Sequence, residues 1–324
     1  MNTGKLTNKQ LDTLIFKKIK QIRKETLVGS GIGRDCAILD IRDELLVIST
    51  DPITGSDTSS GRLCVNVCCN DIAAAGAEPV AMLITALIPT TATLDEFEMI
   101  IDDVLEACKN NNVDLIGGHT EVTTAVNRFI LSGVCIGKDR NISEKKVYPG
   151  CKLVMSKVAG LEGTGIIAQT KYDILSQELD RSTLNRACKY LEDTSVVLEG
   201  RIGKSADVIL MHDATEGGIL GAAWEMAHNA ELGITIFSDK IPITKETTSI
   251  CDFYKIDPLK LISSGVMLFA TENPENLIRE LGNNNILATE IGEFEVKGKM
   301  IVLEKDDEYI LNEPNSDELY KVID

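Results

Sequence analysis

Five carboxylates stand where apolar segments end, or where a charge is costly. Asp35 closes the glycine-rich run GSGIGRD, and Asp51 ends the apolar run LLVISTD. Asp71 sits inside the otherwise apolar RLCVNVCCNDIAAA. Glu121 follows two glycines in DLIGGHTEV, and Asp213 follows VILMH and precedes ATEGG. A charge within an apolar helix must be paired or metal-bound to be tolerated. Carboxylates gathered from several turns suit Mg²⁺, a hard cation that takes oxygen ligands and shares them with phosphates. Glycines beside them let backbone N–H groups approach phosphate oxygens. Bland roles stay open: Asp35 and Asp51 as turn residues or caps, Asp213 as the cap of a following helix with Thr215 and Glu216 in its first turn.

His119 adds a second question, because the chain has three histidines. Taken alone, it reads as a catalytic base or a metal ligand. His212 ends a strand beside Asp213 and His228 lies on a helix, so neither makes a metal-binding pair with it. Two further glycine motifs carry no chemistry. GSGIGR has Arg34 where a dinucleotide fingerprint needs its last glycine, and GRIGKS at 200–205 has Leu198 where a phosphate loop needs its first. The second reads as a plain turn from helix to strand.

The elements that position these residues follow from periodicity. Leu11, Leu14, Ile15, Ile19 and Ile22 predict an amphipathic helix. Leu45 to Ile48 predict a buried strand running into Ser49-Thr50-Asp51. RLCVNVCCNDIAAAGAEP predicts a helix stopped at Gly76, with Asn66 and Asn70 on one face. VAMLITALIP reads as a strand, 94–111 as a helix, VDLIGG as a strand and turn, and RFILSGVCIG as a strand. VYPG at 147–150 marks a boundary, giving domains 1–148 and 149–324. Strand–helix alternation then resumes with CKLVMSK, GLEGTGIIAQT, ADVILMHDATEGGILGAAWEMAHNA, GITIF and SSGVMLFA. The fold class expected is α+β, or mixed α/β.

The chain has 324 residues, more than one core usually covers. Its formal charge of −17 argues against nucleic acid as a partner. Apolar runs are interrupted before they could span a membrane, and lysines break every N-terminal one, so a cytoplasmic location is expected. Nine cysteines then read as packed free thiols; Cys64 and Cys68 lie one helical turn apart without a second pair at finger-like spacing. Asn141-Ile142-Ser143 matches a glycosylation acceptor, without meaning in a cytosolic protein.

GRDCA, STD, CNDIAAAGAEP, GGHTE and DATEGG, in that order, resemble the AIR synthase superfamily over roughly residues 28 to 305. The superfamily includes AIR synthase, the HypE type of hydrogenase-maturation factor, thiamine-phosphate kinase and selenophosphate synthetase. The DATEGG segment is most similar to the hydrogenase-maturation branch. The resemblance implies an N-terminal α/β domain that forms a β-barrel across a homodimer, and a C-terminal α+β domain beside it. It implies ATP in a cleft and Mg²⁺ held by Asp35, Asp51 and Asp71. It assigns Thr50, Asn70, Gly117, Gly118 and Thr120 to the nucleotide site, with Asp213 and Thr215 from the second domain. Asp71, Glu121 and His119 would then serve the chemistry, phosphorylation of an amide-like oxygen on a small-molecule or protein-borne acceptor. Positioning and charge neutralisation dominate such transfers. A small-molecule kinase like thiamine-phosphate kinase, or a regulatory nucleotide-binding dimer, are the alternatives.

Three departures sharpen the picture. Relatives carry an acid after the two glycines where this chain has His119, and Glu121 is the expected substitute. Cys36 follows Asp35, unlike the upstream reactive residue of selenophosphate synthetases, and packing is its expected role. Hydrogenase-maturation factors modify a C-terminal cysteine, whereas this sequence ends YKVID after a last cysteine at Cys251, so tail self-modification is not expected.

Overall fold

The computed structural model describes residues 4–5, 10, 12–28, 38–54, 59–140, 145–305, 307–314 and 316–323. Asp35, Cys36, the glycine-rich run 29–34 before them, and Asn141 to Ser143 lie outside this set. The chain divides into two compact units, Met1–Ile72 with Ala77–Ile142, and Ala73–Gly76 with Ser143–Asp324.

The first unit is built on strands β1 (Gly4–Lys5), β4 (Leu45–Ile53), β5 (Glu78–Pro89), β6 (Asp114–Thr123) and β7 (Ile130–Asp139), with β2 (Thr26–Val28) and β3 (Ile38–Leu39) as a separate pair. The five-stranded order is β1-β6-β5-β7-β4, with β5 and β6 parallel and the other pairs antiparallel. Two helices serve this sheet, α1 (Ser60–Ala74) and α2 (Leu94–Asn110). A capping box sets the start of α2: Glu96 N–H donates to the Thr93 hydroxyl, and the Glu96 carboxylate accepts from Thr93 N–H at 2.7 Å. Gly76, at φ 76, ends α1 where a left-handed residue is needed.

One face of the sheet meets α1. A Cβ on Gly133 would come within 2.8 Å of Cys68 Sγ and 2.9 Å of Cys64 Sγ, and one on Gly137 within 2.2 Å of Ile72. Cys64, Cys68, Cys69 and Cys135 are fully buried there, with Cys69 Sγ 3.8 Å from Cys135 Sγ. Hydrogen bonding to the neighbouring thiols, Cys68 and Cys135, and then burial raise the Cys64 and Cys69 pKa values well above the ordinary thiol range, so these are packing groups. Each fully buried side chain such as Leu63, Ile72, Phe97 or Leu131 contributes about 1.5–3 kcal/mol.

Two expectations fail in this unit. The Leu45–Ile48 segment is not a buried strand: β4 is an edge strand, and Leu45, Leu46 and Ile48 are 50%, 53% and 60% exposed. The predicted N-terminal helix stops short of Ile22: among described residues Gln10 is helical, Asp12–Phe16 form a π-helical turn, and Ile19 N–H still donates to Ile15 O at 3.1 Å. Downstream, Asp114 accepts the backbone N–H groups of Ile22 and Arg23, and buried Arg23 pairs with Glu25 and Glu78. These tertiary bonds hold Ile22 and Arg23 in non-helical form and override the periodicity at that end.

The second unit holds one sheet of β8 (Lys152–Ser156), β9 (Leu210–Asp213), β10 (Gly233–Phe237), β11 (Met267–Thr271), β12 (Ala288–Glu295), β13 (Met300–Glu304) and β14 (Asp307–Ile310). Its order is β14-β13-β10-β12-β8-β11-β9, with β10 and β13 parallel. Its principal helices are α3 (Leu161–Thr170), α4 (Arg181–Cys188), α5 (Val197–Ser205), α6 (Gly218–Asn229), α7 (Lys245–Tyr254) and α8 (Pro274–Asn283). Ile219, Leu220, Ala223 and Met226 of α6 share a core with Leu153, Ile234, Leu268 and Phe294 of the sheet. GRIGKS is not a turn: it lies within α5, where Gly203 permits close contact with Met211 and Phe269. Both units mix helices with mixed or antiparallel sheet, the expected fold class.

Candidate functional site

Register decides which of the candidate residues share a surface. Asp51 of β4 pairs with Gly133 of β7, Gly133 with Ile84 of β5, and Ile84 with Gly118 of β6. Side chains alternate across a strand, so Ser49, Asp51 and Ile53 share the face on which Gly133 and Cys135 meet α1. Thr50 lies on the opposite face, exposed, and its hydroxyl donates to Gly133 O at 2.7 Å.

Asp71 projects from α1 to the same strand, where the Ser49 hydroxyl donates to its Oδ2. Ser49, Asp51 and Asp71 therefore gather on one side of the sheet, an all-oxygen donor set suited to a hard divalent cation. Ser49 escaped the sequence reading, yet its signal was present: it stands two residues before Asp51 and so on the same strand face. Asn70 and Asn66 are buried. Asn66 has a structural task, since its Oδ1 accepts from Asn111 Nδ2 at 2.7 Å at the end of α2. Among the described residues no group of three or more His, Cys, Asp and Glu side chains could hold a metal by itself.

The GGHTE stretch differs from expectation. Gly117 and Gly118 form no turn, because β6 runs unbroken from Asp114 to Thr123. A β-bulge intervenes instead: Leu115 pairs with Met82 and Gly117 with Leu83, leaving Ile116 as the extra residue. Gly118 has φ 144, and a Cβ there would lie 1.9 Å from Ile84 O. Its glycine is thus required by the neighbouring strand. Beyond the bulge, Gly118, buried Thr120 and Val122 face α1's side, whereas His119 and Glu121 point to the other. His119 Nε2 lies 3.5 Å from Glu121 Oε2, and the side chains are 50% and 44% exposed. Glu121 consequently does not join Asp51 and Asp71, and His119 pairs with Glu121 rather than with either of them.

In the second unit, buried Asp213 ends edge strand β9, its residue in register with Met267. It does not cap the next helix. Helix α6 starts at Gly218 with Gly217 as N-cap and no side-chain cap bond. Thr215 O accepts from Gly218 N–H at 3.0 Å. Gly217 and Gly218 have φ 80 and 63, and a Cβ on Gly218 would lie 2.6 Å from Leu259 O. His212 is engaged by Glu225 at 2.8 Å.

The family models for the AIR synthase related protein, N-terminal and C-terminal domains, match residues 33–138 and 148–305. The chain belongs to the AIR synthase-related family. A protein of Methanocaldococcus jannaschii named for hydrogenase expression and formation is 30% identical over 302 residues, 87% of this chain and 86% of that protein. Carbamoyl dehydratase HypE of Bradyrhizobium diazoefficiens is 26% identical over 246 residues, 73% of this chain and 69% of its own. Among solved structures, E. coli HypE superposes with a TM-score of 0.81 at 18% identity, covering 98% of this chain and 100% of that one. HypE in complex with ATP gives 0.76 at 19% identity over 97% and 96%. Thiamine-monophosphate kinase of Stenotrophomonas maltophilia gives 0.73 at 19% identity over 90% and 95%. At these identities the structural likeness establishes the AIR synthase-related fold.

Proposed function

We propose that this AIR synthase-related protein is an ATP- and Mg²⁺-dependent enzyme of the HypE type that phosphorylates an amide-like oxygen of an acceptor. The observation that carries the reading is the convergence of Asp51, Asp71 and Ser49 on one face of the first unit. It occurs in a chain whose fold matches that of a HypE solved with ATP. A relative named carbamoyl dehydratase supports the acceptor class, because losing water from a carbamoyl group requires its oxygen to become a leaving group.

Asp51 and Asp71, with Asp35, would hold the cation, which would neutralise charge on the phosphates. Ser49 orients the Asp71 carboxylate. Asn70, Gly117, Gly118 and Thr120 are proposed to shape the nucleotide site in domain 1–148, and Asp213 and Thr215 are proposed nucleotide contacts in domain 149–324; Thr50, on the face opposite Asp51 and Asp71, lies with His119 and Glu121 instead. His119 and Glu121 form a separate exposed pair on the opposite face, proposed to hold a part of the acceptor away from the transferred phosphate. Among the described residues no helix is long and apolar enough to cross a membrane, which fits a cytoplasmic location. The open edge of β4, with exposed Leu46 and Ile48, supports a homodimer.

The test is ADP release with Mg-ATP, alone and with carbamoyl- or amide-bearing acceptors. ATP that binds but never turns over with any of them would leave a nucleotide-binding regulatory dimer. Turnover with thiamine phosphate would favour the kinase reading, which the thiamine-monophosphate kinase likeness supports.

A further inference from the structure

The C-terminal segment beyond residue 305, where the family match ends, is tied to the turn that follows Asp213. Asp317 is 2% exposed and collects three backbone donors: Gly217 N–H at 2.7 Å, Leu319 N–H at 2.8 Å and Ile262 N–H at 3.2 Å. One carboxylate thereby joins the glycine turn, the loop before β11 and the tail. Tyr320 Oη donates to Glu216 Oε1 at 2.6 Å, and Asp257 N–H reaches Glu318 Oε2 at 3.4 Å. A Cβ on Gly217 would lie 3.0 Å from Pro314 Cβ, so the tail also packs directly on the turn. Leu311, Leu319 and Val322 are buried and hold the tail in place.

Glu162, on the first turn of α3, lies within this same interior. It is 4% exposed and its Oε2 has no hydrogen-bond partner. Burial first, and then the nearness of Asp317 and Glu216, push its carboxyl up to about 7 against a hydrogen bond with Ser264. The Asp317 pKa is also raised by burial, but its three N–H donors favour the ionised form. Between two carboxylates in one buried space, Asp317 keeps the charge and Glu162 keeps the proton. The cations nearby are engaged elsewhere: Lys260 with Asp257 at 3.2 Å, Lys321 with Glu318 at 2.7 Å, Arg186 with Glu246 at 2.6 Å, and Lys157 with Asp193 and Glu199.

We propose that Asp317 is the positioning residue of the Thr215–Gly218 turn, and that protonation of buried Glu162 permits this positioning. With Glu162 neutral, the Asp317 carboxylate holds Gly217 N–H and fixes the turn between Asp213 and α6. With Glu162 ionised, two buried like charges repel, the tail loosens and the turn loses its anchor. The proposal deepens the site reading above, because it rests on that reading for its consequence in nucleotide binding.

Hydrogen–deuterium exchange over residues 213–221, corrected for the intrinsic pH dependence of exchange, tests it without nucleotide. In the native chain exchange should rise at least tenfold between pH 6 and pH 8. Glu162→Gln, neutral at every pH and of the same shape, should stay at the slow level throughout. Asp317→Asn should exchange fast at both pH values. A native pH dependence retained in Glu162→Gln overturns the proposal, as does unchanged protection in Asp317→Asn. If Asp317→Asn does not fold, the Glu162→Gln arm decides. Calorimetric ATP affinity separates the two readings: a loosened turn with unchanged affinity removes Asp213 and Thr215 from the nucleotide site and leaves the positioning intact.

Discussion

Asp51 and Glu121 lie on opposite faces of one sheet, three strands apart. At the usual strand spacing this is about 14 Å across the sheet. The acid that follows the GGH sequence therefore cannot complete the Asp51–Asp71 donor set. Asp51→Asn should weaken Mg-ATP binding at least tenfold, about 1.4 kcal/mol. Glu121→Gln should leave it within about twofold while lowering turnover, if the exposed pair meets the acceptor. Equal losses of Mg-ATP affinity in both variants would contradict the separation of faces.

Asp71, on α1, is held by Ser49 of β4 on the face that α1 covers. Asp71→Asn keeps shape and removes charge, so the fold should survive while Mg-ATP affinity falls at least tenfold. Ser49→Ala frees the carboxylate to wander and should give a smaller loss in the same direction. Calorimetry with and without Mg²⁺ checks both, and unchanged affinity in Asp71→Asn would remove it from the site.

Gly118→Ala should damage the fold before it affects chemistry. Its Cβ would overlap the Ile84 carbonyl, which is backbone and cannot step aside. The expected cost exceeds about 3 kcal/mol, read from urea unfolding at constant m. Gly150→Ala is the comparison, since its Cβ would meet nothing within 4 Å although its φ is 100. It should cost only about 1–3 kcal/mol of backbone strain.

Leu46→Glu with Ile48→Glu places two charges on the open edge of β4. Light scattering should show the native chain as the proposed dimer and the double variant as a monomer at the same concentration. Thermal stability of the separated chains should be little changed, because both side chains are more than half exposed. A dimer that persists would move the interface elsewhere.

Stability should fall as the solution passes from acid to neutral, and Glu162 gives the sign. Its ordinary value of 4.5 is raised to about 7 in the folded chain. The stability it contributes is complete below pH 4.5 and lost as pH rises through 7, on the order of 3 kcal/mol in total. Glu162→Gln should flatten that limb and be the more stable protein at pH 8. Denaturant midpoints measured from pH 4 to pH 8 would show it, and parallel curves would refute the assignment.

The elements were legible where local signals were strong. Thr93 with Glu96, and Gly76 after an alanine run, mark helix ends through bonds made within a few residues. What escaped depends on partners far along the chain. Leu45 to Ile48 read as buried because an apolar run does not reveal whether a strand lies at the centre or the edge of its sheet. The N-terminal segment carried helical spacing as far as Ile22, but Asp114 claims the backbone N–H groups of Ile22 and Arg23. The five carboxylates could be picked out by position; their faces could not, because register across β4, β7, β5 and β6 decides them. Nothing in the tail's composition signalled that Asp317 would find Gly217 a hundred residues away.

The bulge at Ile116 sets the phase of everything after it on β6. A regular ladder through the same residues would pair Ile116 with Leu83, slip every later residue by one position along β5 and exchange the two sides of the strand. His119 and Glu121 would turn toward α1, and Thr120 and Val122 toward the open side. A one-residue slip at this point thus acts as a larger alteration than any side-chain substitution nearby. Chains that vary freely in the loops of this fold should keep the spacing between Asp114 and Gly118 fixed.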